Sequence, residues 1–212
     1  MLKRPASLLP LLKITVDQLI LEFDQIGEAR RKLLQELSDF VHEKSKTGQK
    51  VILNFICTHN SRRSHIAQLW AQASAHYFNI DNVACFSGGT EATAFNPRAV
   101  KAMQDVGFNI SKVSEEDNPR YEVRFSSEAP PVNSFSKRYD DPFNSNKDFA
   151  AIMTCSHADE NCPLVFGAST RIAITFDDPK DFDGTPLEET KYHERVLQIG
   201  REMLFVFSLL VK

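Results

Sequence analysis

The feature that most constrains this chain is a regular alternation of two apolar patterns after Lys50. Short apolar runs at 51–56, 83–87, 149–154 and 171–176 read as strands, and longer stretches at 63–78, 96–106 and 188–209 carry helical periodicity. Strands separated by helices in this way predict an α/β fold, a doubly wound four-stranded parallel sheet with helices over both faces. In such sheets ligands bind beyond the carboxyl ends of the strands, so the residues just after each strand are the first candidates for chemistry.

Ahead of that pattern, Leu19, Ile20, Phe23, Ile26, Leu33, Leu34, Leu37, Phe40 and Val41 recur at steps of three and four across 15–46. Gly27 is placed to divide the stretch into two helices, and KSKTGQK reads as a hinge. The expected organisation is an N-terminal helical extension over 1–48, serving as a cap or a homodimer surface, and a main domain over 49–212. Residues 111–147 interrupt the domain with Ser, Asn, Asp and Pro, and only YEVRF alternates like a hairpin strand. This segment is read as an inserted flap able to lie over a site.

A net charge of −3 over 212 residues argues against a non-specific nucleic-acid or membrane partner, so any basic site must be local. No run reaches the ~18 apolar residues of a membrane span. The opening MLKRPASLLPLLK is cut by Pro10 and Lys13 and lacks a following cleavage site. Four cysteines (Cys57, Cys85, Cys155 and Cys162) in such a chain point to the reducing cytoplasm, where thiols are buried, metal-bound or catalytic.

The stretch VILNFICTHNSRRSHIAQLW places Cys57 where a strand meets a helix, with Arg63 six residues on. A loop entering a helix offers unpaired N–H groups and the positive end of the helix dipole, which suit a tetrahedral oxyanion. The same field stabilises a thiolate and makes Cys57 a candidate nucleophile. The planar fork of Arg63 can grip two oxyanion oxygens at once, and Ser64 can donate to the thiolate. The bland reading is a buried structural cysteine beside surface arginines, but structural cysteines rarely open onto a polar turn.

CTHNSRRS resembles the phosphate-binding loop of the low-molecular-weight protein tyrosine phosphatases and of the thioredoxin-coupled arsenate reductases that share their fold. SGGTEATAFNPRAVKAMQDVGFNIS, residues 87–111, is similar to the family's next block, and the resemblance covers 51–110 and 149–209. It implies an oxyanion-binding loop of Thr58, His59, Asn60, Ser61, Arg62, Arg63 and Ser64 behind the nucleophile Cys57. CSHADENCP, residues 155–163, looks like the reductase segment that holds a second and a third cysteine, Cys155 and Cys162. A thiolate joined to an oxyanion can be relieved by a second thiol, and a third can carry the disulfide to an external reductant. The phosphatase branch has no such pair. With no second C-x2-C pair, and His157 crowded between the two cysteines, no metal site is expected. Cys85 reads as core.

A leaving oxygen needs a proton, and two carboxyl pairs precede prolines: Asp140–Asp141 in YDDPF and Asp177–Asp178 in FDDPK. The family's order along the chain favours Asp178, with Asp141 second. Three positions depart from the family pattern. His59 stands where glycine is usual, at a place that could require a costly backbone conformation. Arg62 replaces a further cysteine of many reductases and is expected either to add positive potential or to face solvent. Gln68 replaces a glutamate that helps some reductases bind potassium, so no potassium site is expected. The leading expectation is thiol-dependent reduction of arsenate, with no bound cofactor and a thioredoxin-like protein as reductant. The alternative is hydrolysis of phosphomonoesters by the same loop, and a third is a non-catalytic oxyanion or redox sensor.

Overall fold

The computed structural model describes residues 5–161 and 164–211. Its centre is a four-stranded parallel sheet in the order β2-β1-β6-β7, formed by β1 (Val51–Cys57), β2 (Val83–Gly89), β6 (Phe149–Met153) and β7 (Ala168–Ala173). β1 is buried along almost its whole length, as a strand covered on both faces must be. The chain passes from β1 to β2 on one side and later returns on the other side of β1 as β6, in register Ile56↔Met153. That reversal opens a crevice at the carboxyl ends of β1 and β6. Cys57 closes β1, and Cys155 lies just past β6.

The helices are α1 (Pro10–Leu21), α2 (Glu28–Lys46), α3 (Arg63–Tyr77), α4 (Pro97–Asp105), α5 (Ser156–Asn161) and α6 (Glu188–Ser208). The pleat of β6 divides the core. Ala150 and Ile152 face a large cluster that takes Leu12 and Val16 of α1, Leu34, Leu37 and Val41 of α2, Trp70 of α3, Met103 of α4 and Phe207 of α6. Phe149, Ala151 and Met153 face a smaller cluster with Ile56, Cys57, Cys155, Ala158 and Val165. α3 and α6 approach closely at Gly200, where a Cβ would stand 2.6 Å from Trp70 Cε2.

Two expectations need adjustment. Pro10 does not merely interrupt an apolar run: it opens α1, where its missing N–H costs nothing. The last strand lies three residues earlier than its apolar pattern suggests, over Ala168–Ala173, because Gly167 turns the chain at φ +85° and pairing with β6 ends at Ala173. Ile174 and Phe176 remain buried as extended chain beyond it.

The segment expected to be a flap is folded. Its YEVRF piece supplies β4 (Tyr121–Arg124), the middle strand of an antiparallel sheet with β3 (Asn109–Lys112) and β5 (Val132–Ser134). Beyond β5 the chain runs to the end of β2, where Gly89 N donates to Lys137 O and Tyr139 N donates to Gly89 O, both at 2.9 Å.

Candidate active site

The loop from Cys57 to Arg63 is shaped by where its carbonyls point. Cys57 O accepts from Thr90 N at 3.1 Å, Thr58 O from Glu91 N at 2.8 Å and Ser61 O from Asn96 N at 2.9 Å. His59 O accepts from Thr93 Oγ1 at 3.1 Å and from Ser136 Oγ at 3.0 Å. A trans peptide points each C=O opposite to the following N–H. Tying these four carbonyls outward therefore turns the N–H groups of Thr58, His59, Asn60 and Arg62 inward, a concave set of donors for an anion. Gly89 permits the arrangement, since a Cβ there would lie 2.6 Å from Thr58 O and 2.7 Å from Asn60 N.

The conformationally demanding position is Asn60, at φ +43°, and not His59. Asparagine enters that region more readily than most side chains. Its Nδ2 donates to Ser64 Oγ at 2.9 Å, and Ser64 Oγ lies 3.1 Å from Cys57 Sγ. A hydroxyl that accepts from an amide keeps its own proton for another partner, here the sulfur. Asn60 Oδ1 in turn accepts from Lys137 N at 2.9 Å. The antiparallel segment thus braces the loop from behind. The cleft itself is lined by Cys57, Thr58, His59, Ser61, Arg62, Arg63 and Asp178, with no described residue of 111–147 among them.

Arg63 opens α3 and spans to the chain beyond β7. It donates to Phe176 O at 2.8 Å and to Asp178 Oδ2 at 2.6 Å. Asp141, the second-choice acid, is spent on its own turn, where Oδ1 accepts from Phe143 N at 2.8 Å. Arg30 of α2 steadies the Asp178 segment by donating to Thr175 O at 3.1 Å and lying over the Phe176 ring. Arg62 does not face solvent, its side chain being 12% exposed. Its Nε donates to Tyr192 OH at 2.8 Å, and that hydroxyl donates to Asp183 Oδ1 at 2.8 Å. Burial, aided by Asp183, pushes the Tyr192 phenol up to about 12. The arginine is thus a strut between the loop and α6.

Cys155, 1% exposed, reaches the loop through Thr58, whose Oγ1 is 3.5 Å from its Sγ. Cys162 lies outside the described residues. Cys85 is buried in β2, and burial pushes its thiol well up. Gln68 is buried, with Nε2 donating to Cys85 O at 3.1 Å. Ser136, Lys137, Asp183 and Tyr192 carry no signal in the sequence reading, because each acts through polar contacts without periodicity.

Lys137 is 3% exposed, with Nζ donating to Phe135 O at 3.3 Å. Burial pushes its ammonium from 10.5 down to about 8, with Asp141 partly opposing that shift. The unfolded chain holds this proton up to about 10.5 and the native chain releases it near 8, so this group's contribution to stability rises as pH climbs between those values. Lys137→Met keeps the backbone brace on Asn60. We expect it to raise stability at pH 7 by about 1–3 kcal/mol and to remove the alkaline gain, measured by urea unfolding at pH 7 and at about pH 10. His65 beneath the loop is neutral: burial first, then the Lys137 charge, hold its pKa well below the ordinary value.

This parallel sheet, with the loop from Cys57 to Arg63 at its switch point, has the fold of the low-molecular-weight phosphatases. A low-molecular-weight phosphotyrosine phosphatase from Vibrio cholerae O395 shares the fold at TM-score 0.51 and 13% identity, over 75% of this chain and 95% of that one. The chain belongs to the arsenate reductase family. It is 32% identical to arsenate reductase from Bacillus subtilis (strain 168) over 153 residues, 72% of this chain and 91% of that protein. It is 30% identical to arsenate reductase from Halalkalibacterium halodurans over 155 residues, 73% of this chain and 93% of that protein. No family model matches the chain. Among the described residues, no helix is long and apolar enough to cross a membrane.

Proposed function

We propose that this enzyme reduces arsenate to arsenite through three thiols. Arsenate enters the cradle of inward N–H groups and competes with Asp178 for the Arg63 guanidinium. Cys57 attacks arsenic, and Asp178, released from Arg63, protonates the departing oxygen, which leaves as water. Cys155 then attacks Cys57 Sγ, arsenite leaves, and Cys162 transfers the disulfide to Cys155–Cys162. A thioredoxin-like dithiol protein reduces that bond. The supporting observation is that Cys57 and Cys155 share one buried cluster at the ends of adjacent strands, linked through Thr58.

The test is arsenate-dependent NADPH consumption with thioredoxin and its reductase. Wild type is expected to turn over, and Cys162→Ser to release about one arsenite per enzyme and stop. Sustained turnover by Cys162→Ser would sink the scheme.

The second reading is phosphomonoester hydrolysis, favoured by a loop that reads a tetrahedral anion whatever its central atom, with Asp178 beside it. Asp178→Asn is expected to lower kcat for p-nitrophenyl phosphate by about 100-fold while leaving phosphate inhibition in place. Unchanged kcat would remove Asp178 from the role of acid.

A further inference from the structure

We propose that His157 takes the proton from the Cys155 thiol through the hydroxyl of Thr58, so that Cys155 is a thiolate when it attacks Cys57. The inference rests on the three-thiol reading and assigns the proton that reading leaves unplaced. Cys155 is buried beneath the loop, away from bulk water. Its sulfur has two polar neighbours among the described residues, Thr58 Oγ1 at 3.5 Å and Ala158 N at 3.4 Å. The amide can only donate, which suits the thiolate once formed. The hydroxyl can accept, so it is the way out for the proton. Thr58 Oγ1 also lies 3.2 Å from His157 Nδ1. A hydroxyl between a thiol and an imidazole accepts from one and donates to the other. With its own proton on Nε2, the imidazole presents Nδ1 as the acceptor. His157 is exposed and can pass the proton on to water.

The step balances. Before it, Cys57 Sγ is bonded to As(V). As Cys155 loses its proton, that proton moves to Thr58 Oγ1 and the Thr58 proton moves to His157 Nδ1. The Cys155 thiolate forms a bond to Cys57 Sγ, and the S–As bond breaks with its electron pair left on arsenic. Arsenic becomes As(III) and departs as arsenite, and the two sulfurs are oxidised to a disulfide. Both hydrogen bonds depend on β6 ending beside β1, which brings the first turn of α5 against the loop. Nearby charged groups are already engaged: Asp159 pairs with Arg171, Arg62 with Asp183 and Arg63 with Asp178. Glu160 is exposed on α5, and His59 on the loop lies 3.7 Å from Glu91.

His157 acts through Thr58 and is a positioning residue, so its test reads a pH profile. Arsenite release is followed in a single turnover of the full chain carrying Cys162→Ser, which halts at the Cys57–Cys155 disulfide. Adding His157→Asn is expected to slow release by about 100-fold at neutral pH, with recovery only toward alkaline pH, where hydroxide takes the proton. Imidazole is expected to accelerate His157→Ala. Thr58→Val, which cuts the relay in its middle, is expected to slow release no further when combined with His157→Asn. Parental rates and pH profile in both His157 variants, or additive losses in the Thr58 and His157 pair, would overturn the relay alone. No arsenite from the Cys162→Ser parent would overturn it together with the three-thiol reading.

Discussion

Cys155→Ser is expected to release no arsenite, at least about 1000-fold below wild type, while still hydrolysing p-nitrophenyl phosphate. The argument starts from strand order. β6 adjoins β1, so the residue just past β6 is the thiol best placed to reach Cys57. A serine hydroxyl there forms no disulfide, and arsenic stays bound to Cys57. The remaining described thiol cannot substitute, because Cys85 is buried within β2 and burial favours its protonated form. Phosphoester hydrolysis needs only water to free Cys57, so it continues. Intact mass after exposure to arsenate is expected to show an arsenic adduct in the variant and a disulfide in wild type. Equal arsenite from both would end the three-thiol scheme.

Arg63→Ala is expected to lower kcat/KM by about 1000-fold for arsenate and for p-nitrophenyl phosphate alike. The guanidinium belongs to the last residue of the loop and carries two N–H groups in the fork that now holds Phe176 O and Asp178. An oxyanion that takes over this fork keeps both charge and orientation. Arg63→Lys keeps only the charge, so we expect it to recover less than about a tenth of the lost rate. Stability is expected to change little, about 1 kcal/mol, because Asp178 can turn to water once unpaired. A lysine variant as active as wild type would show that bidentate geometry is not needed.

The inner strands β1 and β6 are legible in the sequence because parallel strands buried on both faces leave continuous apolar runs, and the helices leave a 3.6-residue period; β7, only partly buried, leaves a weaker trace and lies three residues from its apolar run. The start of α1 is not legible, since Pro10 signals a break and a helix opening with equal force. The small antiparallel sheet was legible only at YEVRF. β3 is NISK, and most of what fixes the segment to the loop is made by polar side chains such as Ser136 and Asn118 on backbone groups. Such contacts have no period. At the site, the spacing of Cys57 and Arg63 was visible, because a short loop with a helix behind it leaves the arginine few other directions. Choosing between FDDP and YDDP needed the family's order along the chain, since the two strings differ little and only the folded chain brings Asp178 to Arg63. His59 drew attention through its neighbours in the pattern, but the left-handed backbone falls one residue later, on Asn60. In the sequence His157 reads only as a metal ligand, because a single sequence does not reveal that Thr58 stands between it and Cys155.

The brace behind the loop also bears on how such a chain can change over generations. The turn at 127–131 is largely exposed, so insertions drifting in there meet little resistance. Ser136 and Lys137 are different: they hold His59 and Asn60 across 77 positions of sequence. A lineage can thus lengthen the exposed turn at little cost, whereas altering Ser136, far from the nucleophile, removes one of the two hydroxyls that hold His59 O. Selection on the chemistry therefore falls on residues that never meet the anion.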